Sequence, residues 1–209
     1  MKLAFLISMM VAALLREGTA VTACERDSVV IDTVGATIIA AGFFGKGPGQ
    51  TFVATDTLIG AITVWRMTEQ SYNPYPMKLW ILEVDSTGYP LSDRVIYEGP
   101  QIQVLYGDGI HPVEIRFDLD PPVALPGAGQ YAFIVQNLCA GNFILLGVPD
   151  SYAQGQLWLS SRTNFSGCIL SETMQSFSES DLSCKIEFCK GGPTPSRRRS
   201  WGQVKTIYR

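Results

Sequence analysis

About eleven short apolar runs, each closed by a turn signal and none carrying a helical stripe, govern what this 209-residue chain can become. The cleanest is Val113-Glu-Ile-Arg-Phe-Asp-Leu119, where Val113, Ile115, Phe117 and Leu119 face one way and Glu114, Arg116 and Asp118 the other. Tyr131, Phe133 and Val135 alternate in the same manner, as do Leu182, Cys184, Ile186 and Phe188. Further runs lie near residues 28–34, 51–55, 58–67, 77–84, 94–98, 101–106, 142–147 and 156–160. Between them fall Gly45-Lys-Gly-Pro48, Asp85-Ser-Thr-Gly88-Tyr-Pro90, Gly107-Asp-Gly109, Pro121-Pro122, Pro126-Gly-Ala-Gly129 and Ala140-Gly141. An α/β fold needs helices between strands, and these spacings leave no room for them. The expectation is an all-β, antiparallel, jelly-roll-like β-sandwich in a single domain. Its core draws on the apolar residues of the three alternating runs.

The N-terminus has the form of an export signal. Lys2 precedes Leu3–Leu15, an apolar run of 13 residues, too short to span a bilayer. Gly18 with Ala20, or Val21 with Ala23, supplies small residues at cleavage spacing. Val21-Thr-Ala-Cys24 also has the form of a lipobox, although Arg16 and Glu17 stand between it and the apolar run. The expected organisation is therefore a signal peptide over 1–23, a sandwich over 24–190 and a basic tail over 191–209. The product is secreted or held at the cell surface, with no transmembrane helix in the mature chain. Lipidation at Cys24 is the alternative anchor.

Charge is divided between body and tail. Residues 24–189 carry 18 acidic and 8 basic side chains, a net of −10, whereas residues 190–209 carry six basic and no acidic ones. An acidic body lacks the basic patch that phosphate contacts need, so nucleic acid is not an expected partner.

Several stretches carry a resemblance. Gln50-Thr-Phe-Val-Ala54 resembles the opening strand of a class of secreted bacterial jelly-roll domains. The hairpin at Asp85–Pro90 and the "PV.L..G..Y" crossover within Phe117–Val135 resemble their next landmarks. Gly155-Gln-Leu-Trp158 and Asp181–Phe188 resemble their closing strands. The likeness spans roughly residues 50–188 and implies a fold similar to that of carbohydrate-binding modules. Because those elements are structural, it implies little about function.

Catalytic chemistry is not legible. His111 is the one imidazole, and it precedes a strand at Gly109-Ile-His-Pro112 with no G-x-S-x-G motif in the chain. There is no C-x-x-C pair for zinc, and Gly45-Lys-Gly-Pro-Gly49 lacks the P-loop lysine spacing. Asp118 with Asp120, or Asp85 in its turn, offers oxygens to calcium, but no full calcium loop is present and solvated turns explain them. No enzyme, no cofactor and no metal are expected.

Aromatic residues supply the one positive signal. Trp65 lies out of phase with Ile62 and Val64, which leaves an outward face and a core position both open, while Tyr72, Tyr75 and Tyr89 lie in loops. Sugars stack on exposed aromatic faces, so these four are the candidate ligand-binding residues. Trp80 and Trp158 are expected in the core. Export also favours disulfides. Cys168 and Cys184 flank a polar stretch centred on residue 176, where a hairpin would set them opposite each other. Cys24 and Cys139 then compete for Cys189.

In the tail, Gly191-Gly-Pro-Thr-Pro-Ser196 has linker composition and is followed by Arg197, Arg198, Arg199 and Trp201. Those four are candidate interaction residues for surface retention or assembly. The segment Trp201-Gly-Gln-Val-Lys205 resembles short tails of secreted bacterial proteins, which implies a sorting role. Two functional classes follow. One is a non-catalytic secreted or surface protein with a structural, adhesive or assembly role. The other is a carbohydrate-binding module. Glycans, other surface proteins and further copies of the chain are the partner classes.

Overall fold

The computed structural model describes residues 25–31, 37–40, 47–67, 75–104, 107–137, 144–161, 170 and 173–190. They form fourteen strands: β1 (Glu25–Ile31), β2 (Thr37–Ala40), β3 (Gly47–Val53), β4 (Leu58–Arg66), β5 (Tyr75–Val84), β6 (Pro90–Glu98), β7 (Ile102–Val104), β8 (Val113–Ala124), β9 (Gln130–Asn137), β10 (Ile144–Pro149), β11 (Leu157–Ser161), β12 (Thr173–Phe177), β13 (Ser180–Leu182) and β14 (Cys184–Lys190). Every pairing is antiparallel, and the strands divide into two sheets of seven.

In the first sheet β14 lies between β1 and β4, and β8 pairs along the other side of β4. Strand β10, flanked by β2 and β13, joins the far end of β4 with Leu145 opposite Arg66. The second sheet runs β12-β11-β3-β9-β5-β6, with β7 added to β5. The jelly-roll-like sandwich expected from the turn spacing is what forms.

Alternation decides which side chains meet between the sheets. From the first sheet come Ile62, Val64, Ile115, Phe117, Leu182, Cys184, Ile186 and Phe188; from the second come Phe52, Leu79, Ile81, Tyr131, Phe133 and Val135. Ile115 is buried while Glu114 is exposed, as the alternation of β8 requires. Phe52 centres the layer, its ring centroid 6.2–6.3 Å from those of Tyr131, Phe133 and Phe188. Burial of this apolar area stabilises the fold at about 25 cal/mol per Å². Val113, at the rim, is only half-buried.

One polar network ties the two sheets together inside this core. Gln50 on β3 and Asp181 on β13 are both 0% exposed. The Gln50 Nε2 donates to Asp181 Oδ1 over 2.7 Å, and its Oε1 accepts from the Leu182 N–H over 2.8 Å. The second Asp181 oxygen accepts from the backbone N–H groups of Ser151 and Tyr152 over 2.8 and 2.7 Å. Tyr152 in turn accepts from the Val53 N–H over 3.0 Å. The loop after β10 is thereby pinned to both sheets through buried polar groups whose partners are supplied internally.

Two expectations fail in the last third of the chain. The polar stretch around residue 176 is not a turn joining Cys168 to Cys184. It is β12, which pairs with β11 in the second sheet, and only Ser178-Glu179 separates it from β13 in the first. Cys184 therefore points into the inter-sheet core, where it is a free thiol, and the Cys168–Cys184 pairing does not form. Cys189 lies on the opposite face of β14 and is disulfide-bonded. Cys24, Cys139 and Cys168 lie outside the described residues, as do the segment expected to be a signal peptide and the tail with Arg197, Arg198, Arg199 and Trp201.

Candidate functional site: a charge-free cleft at one end of the sandwich

Trp80 and Trp158 are buried, at 6% and 5% exposure, but not between the sheets. They lie on the outer face of the second sheet in a separate apolar layer with Leu82, Ala132, Ile134, Leu170 and Met174. Strands β5 and β9 are thus apolar on both faces. That is why Trp80-Ile-Leu82 shows no alternation of apolar with polar residues. Tyr89 joins this layer. Its ring meets that of Trp158 edge-on with centroids 5.4 Å apart, and its hydroxyl accepts from the Met174 N–H over 2.9 Å. Lys78 lies over the Trp80 ring, 4.7 Å from its centroid, while also pairing with Glu98.

Of the four candidate aromatics, the two whose side chains are described, Trp65 and Tyr89, are not brought together. Trp65 is half-buried on the outer face of the first sheet, opposite Glu114 on β8. Tyr89 packs on the outer face of the second sheet, on the other side of the molecule. Tyr72 and the side chain of Tyr75 lie outside the described residues.

Ionisable groups on the surface serve turns and strand pairs. In the β5–β6 hairpin one oxygen of Asp85 accepts from the Thr87 hydroxyl over 2.6 Å and from the Thr87 and Tyr89 N–H groups over 2.7 and 3.0 Å. The Thr87 hydroxyl, then these backbone donors, hold its carboxyl below the usual aspartate value. Gly88 takes φ +83° there, which a side chain rarely adopts. Asp108 uses the same device. It receives the N–H groups of Ile110 and His111, and one of its oxygens lies 2.6 Å from His111 Nδ1. The imidazole contact, then the two backbone donors, hold its carboxyl far below the usual range. The sole imidazole is thus tied into an exposed turn, and among the described residues no nucleophile hydrogen-bonds to it. Asp118 bonds Arg116, which also pairs with Glu187 across to β14. Among the described residues no three His, Cys, Asp or Glu side chains cluster in a way that could hold a metal ion.

A cleft of about 230 Å³ opens at one end of the second sheet, lined by Thr51, Thr87, Gly88, Gln130, Ala153, Gln154, Gly155 and Gln156. Its floor is the outer face of β3 and β9, because Phe52, Tyr131 and Leu157 turn inward and leave Thr51, Gln130 and Gln156 outward. One wall is the Asp85–Pro90 hairpin. The other is the loop that Asp181 pins at Ser151 and Tyr152.

The parts are held by short bonds. The Gln130 Nε2 donates to the Gln154 carbonyl over 2.9 Å, and Thr51 Oγ1 accepts from the Gln156 N–H over 2.9 Å. The backbone N–H of Thr51 donates to the Gln156 carbonyl over 3.1 Å. Gly155 lies so close to β3 that a Cβ there would fall 1.9 Å from the Thr51 carbonyl oxygen, so no other residue fits. Another cavity, of about 50 Å³ beside Tyr97, Pro100 and Arg116, is water-sized. Sequence reasoning missed the cleft. Glutamines at 130, 154 and 156 have no motif, and only the fold brings them together.

Comparison with known proteins adds little. No family model matches the chain, and no curated protein does. Among solved structures, the cysteine protease and lectin-like domains of Cwp84, a surface layer associated protein of Clostridium difficile, superpose with a TM-score of 0.48 at 11% identity. The match covers 78% of this chain and 36% of that one, so the chain spans about a third of that structure's length. A likeness this slight leaves the fold to rest on the strand pairings themselves.

Proposed function

We propose that the protein is exported and acts outside the cell or at its surface as a non-catalytic β-sandwich with an adhesive or assembly role. One observation carries this reading: among the described residues, four groups suited to chemistry are engaged in holding the fold. Asp181 bridges the two sheets, Cys184 is sealed in the core, and His111 and Asp85 stiffen turns. The protein, in this reading, acts by recognition at its surface. In this reading the 13-residue apolar run at Leu3–Leu15 directs export, and Arg197–Arg199 with Trp201 mediates retention or assembly. The partners are glycans, other surface proteins or further copies of the chain.

Cell fractionation tests the reading. The mature protein, lacking residues 1–23, should appear in the medium or on the surface. Deleting residues 191–209 should shift it toward the medium while leaving its melting temperature unchanged. Unprocessed protein retained inside the cell contradicts the export reading, and an unaltered distribution after deletion contradicts the role of the tail.

A further inference from the structure

We propose that the cleft between the Asp85–Pro90 hairpin and the 150–156 loop binds a neutral glycan through its hydroxyl groups. The proposal rests on the surface-recognition reading above and gives it a site and a ligand class.

The lining selects the chemistry. It holds three glutamines, two threonines, two glycines and one alanine, with no charged side chain, on a body whose net charge is −10. Nothing there neutralises a phosphate, sulfate or uronate, and no carboxylate lines it to receive an amine or a cation. Its lining is also too polar for an apolar ligand. A glutamine amide places an acceptor oxygen and a donor nitrogen side by side, and the Gln130 nitrogen keeps a second proton beyond the one given to the Gln154 carbonyl. Adjacent sugar hydroxyls, each both donor and acceptor, are the natural complement. Gln154 is exposed at the rim, whereas Gln130 and Gln156 are half-buried against the floor. An extended peptide fits less well. Strand addition requires unpaired backbone, and the Thr51 N–H on the floor already donates to the Gln156 carbonyl. A volume of about 230 Å³ suits one ring-sized unit of a chain running on into solvent.

The cleft is preformed. Thr51 is held by Gln156, Gln130 by Gln154, Thr87 by Asp85, and the loop by Asp181. Such pre-organisation lowers the ordering cost that limits binding by polar contacts alone.

The experiment applies the full exported protein to an array of neutral oligosaccharides together with sialylated and uronate-containing ones. The strongest neutral binder is then titrated by calorimetry. Three variants accompany the wild type: Gln130→Ala with Gln156→Ala, Ala153→Trp, and Trp65→Ala, with melting temperatures measured for each. Binding to neutral glycans that falls about tenfold or more in the double variant, and is abolished by Ala153→Trp at unchanged melting temperature, supports the site. Ala153 is exposed, so its replacement fills the cleft without touching the core if the double variant fails to fold. Binding confined to charged glycans, binding lost only in Trp65→Ala, or no binding by a wild-type protein that fractionates to the surface would each overturn the cleft assignment. The last outcome leaves the surface reading standing, whereas intracellular retention would remove it by a separate measurement.

Discussion

Replacing Asp181 by alanine removes the acceptor from three donors at once, one of them fully buried and two part-buried. The Gln50 amide and the backbone N–H groups of Ser151 and Tyr152 are left facing a space the carboxylate occupied. A donor stranded away from water costs about 1–3 kcal/mol, and the two part-buried ones cost less because water reaches them. Relief of the carboxylate's own desolvation offsets part of that sum. A net loss of about 3–5 kcal/mol is expected, within the range of the most damaging single substitutions. For a domain of this size that lowers the melting temperature by about 6–20 °C. Asp181→Asn keeps one acceptor oxygen but turns an N–H₂ toward a donor, so it should lose about 1–3 kcal/mol. Urea unfolding followed by circular dichroism measures both losses, with an unchanged slope confirming that the same surface unfolds. A loss under about 1 kcal/mol for Asp181→Ala would refute the idea that this network holds the sheets and loop together.

Three further outcomes follow from the contacts. Asp85 has a folded-state carboxyl pKa below its ordinary value of 3.8, so its contribution is complete above that value and is lost as pH falls toward the folded one. The melting-temperature difference between wild type and Asp85→Asn should be largest near neutrality and shrink below about pH 4; an equal difference in acid contradicts the bond. Burial raises the Cys184 thiol far above its usual range, so it should resist alkylation in the native protein and react only on unfolding. Peptide mapping without reductant should find Cys189 bridged to a cysteine other than Cys184, and a native protein alkylated at Cys184 would place that strand wrongly. The indole N–H of Trp158 is buried without a hydrogen-bond partner, so Trp158→Phe loses volume but also removes a stranded donor. It should cost less than about 1.5 kcal/mol, whereas Trp158→Ala should cost about 3–5 kcal/mol by denaturant unfolding.

How much of this was legible depended on whether a strand has one buried face or two. Val113–Leu119 displayed its register because Glu114 and Asp118 are exposed. In β5 the alternation vanished, since Leu79 and Ile81 face the other sheet while Trp80 and Leu82 lie under a second apolar layer. Strand β12 reads as a turn in the sequence because Met174 is its one buried side chain among polar neighbours. That error carried the disulfide assignment with it, since a strand committed to β11 cannot also be the bend that brings residue 168 to residue 184. The aromatic site was inferred from residue type. Tyr89 shows the weakness of that inference: an aromatic in a loop packs against the sheet's outer face when a partner such as Trp158 is in reach. The cleft had no sequence signal because its glutamines come from β9 and from the loop before β11, and its shape comes from Gly88 and Gly155.

Recognition at the cleft can be observed without any substitution. Side-chain amide protons of Gln130, Gln154 and Gln156 give assignable nitrogen–proton correlations, as does the indole of Trp65. Titrating the labelled protein with neutral oligosaccharides should move the three glutamine amides and the Thr87 and Gly88 backbone signals together, with one affinity, and leave Trp65 still. Movement of the Trp65 indole with silent glutamine amides would put recognition on the first sheet instead, and contradict the cleft as the binding site.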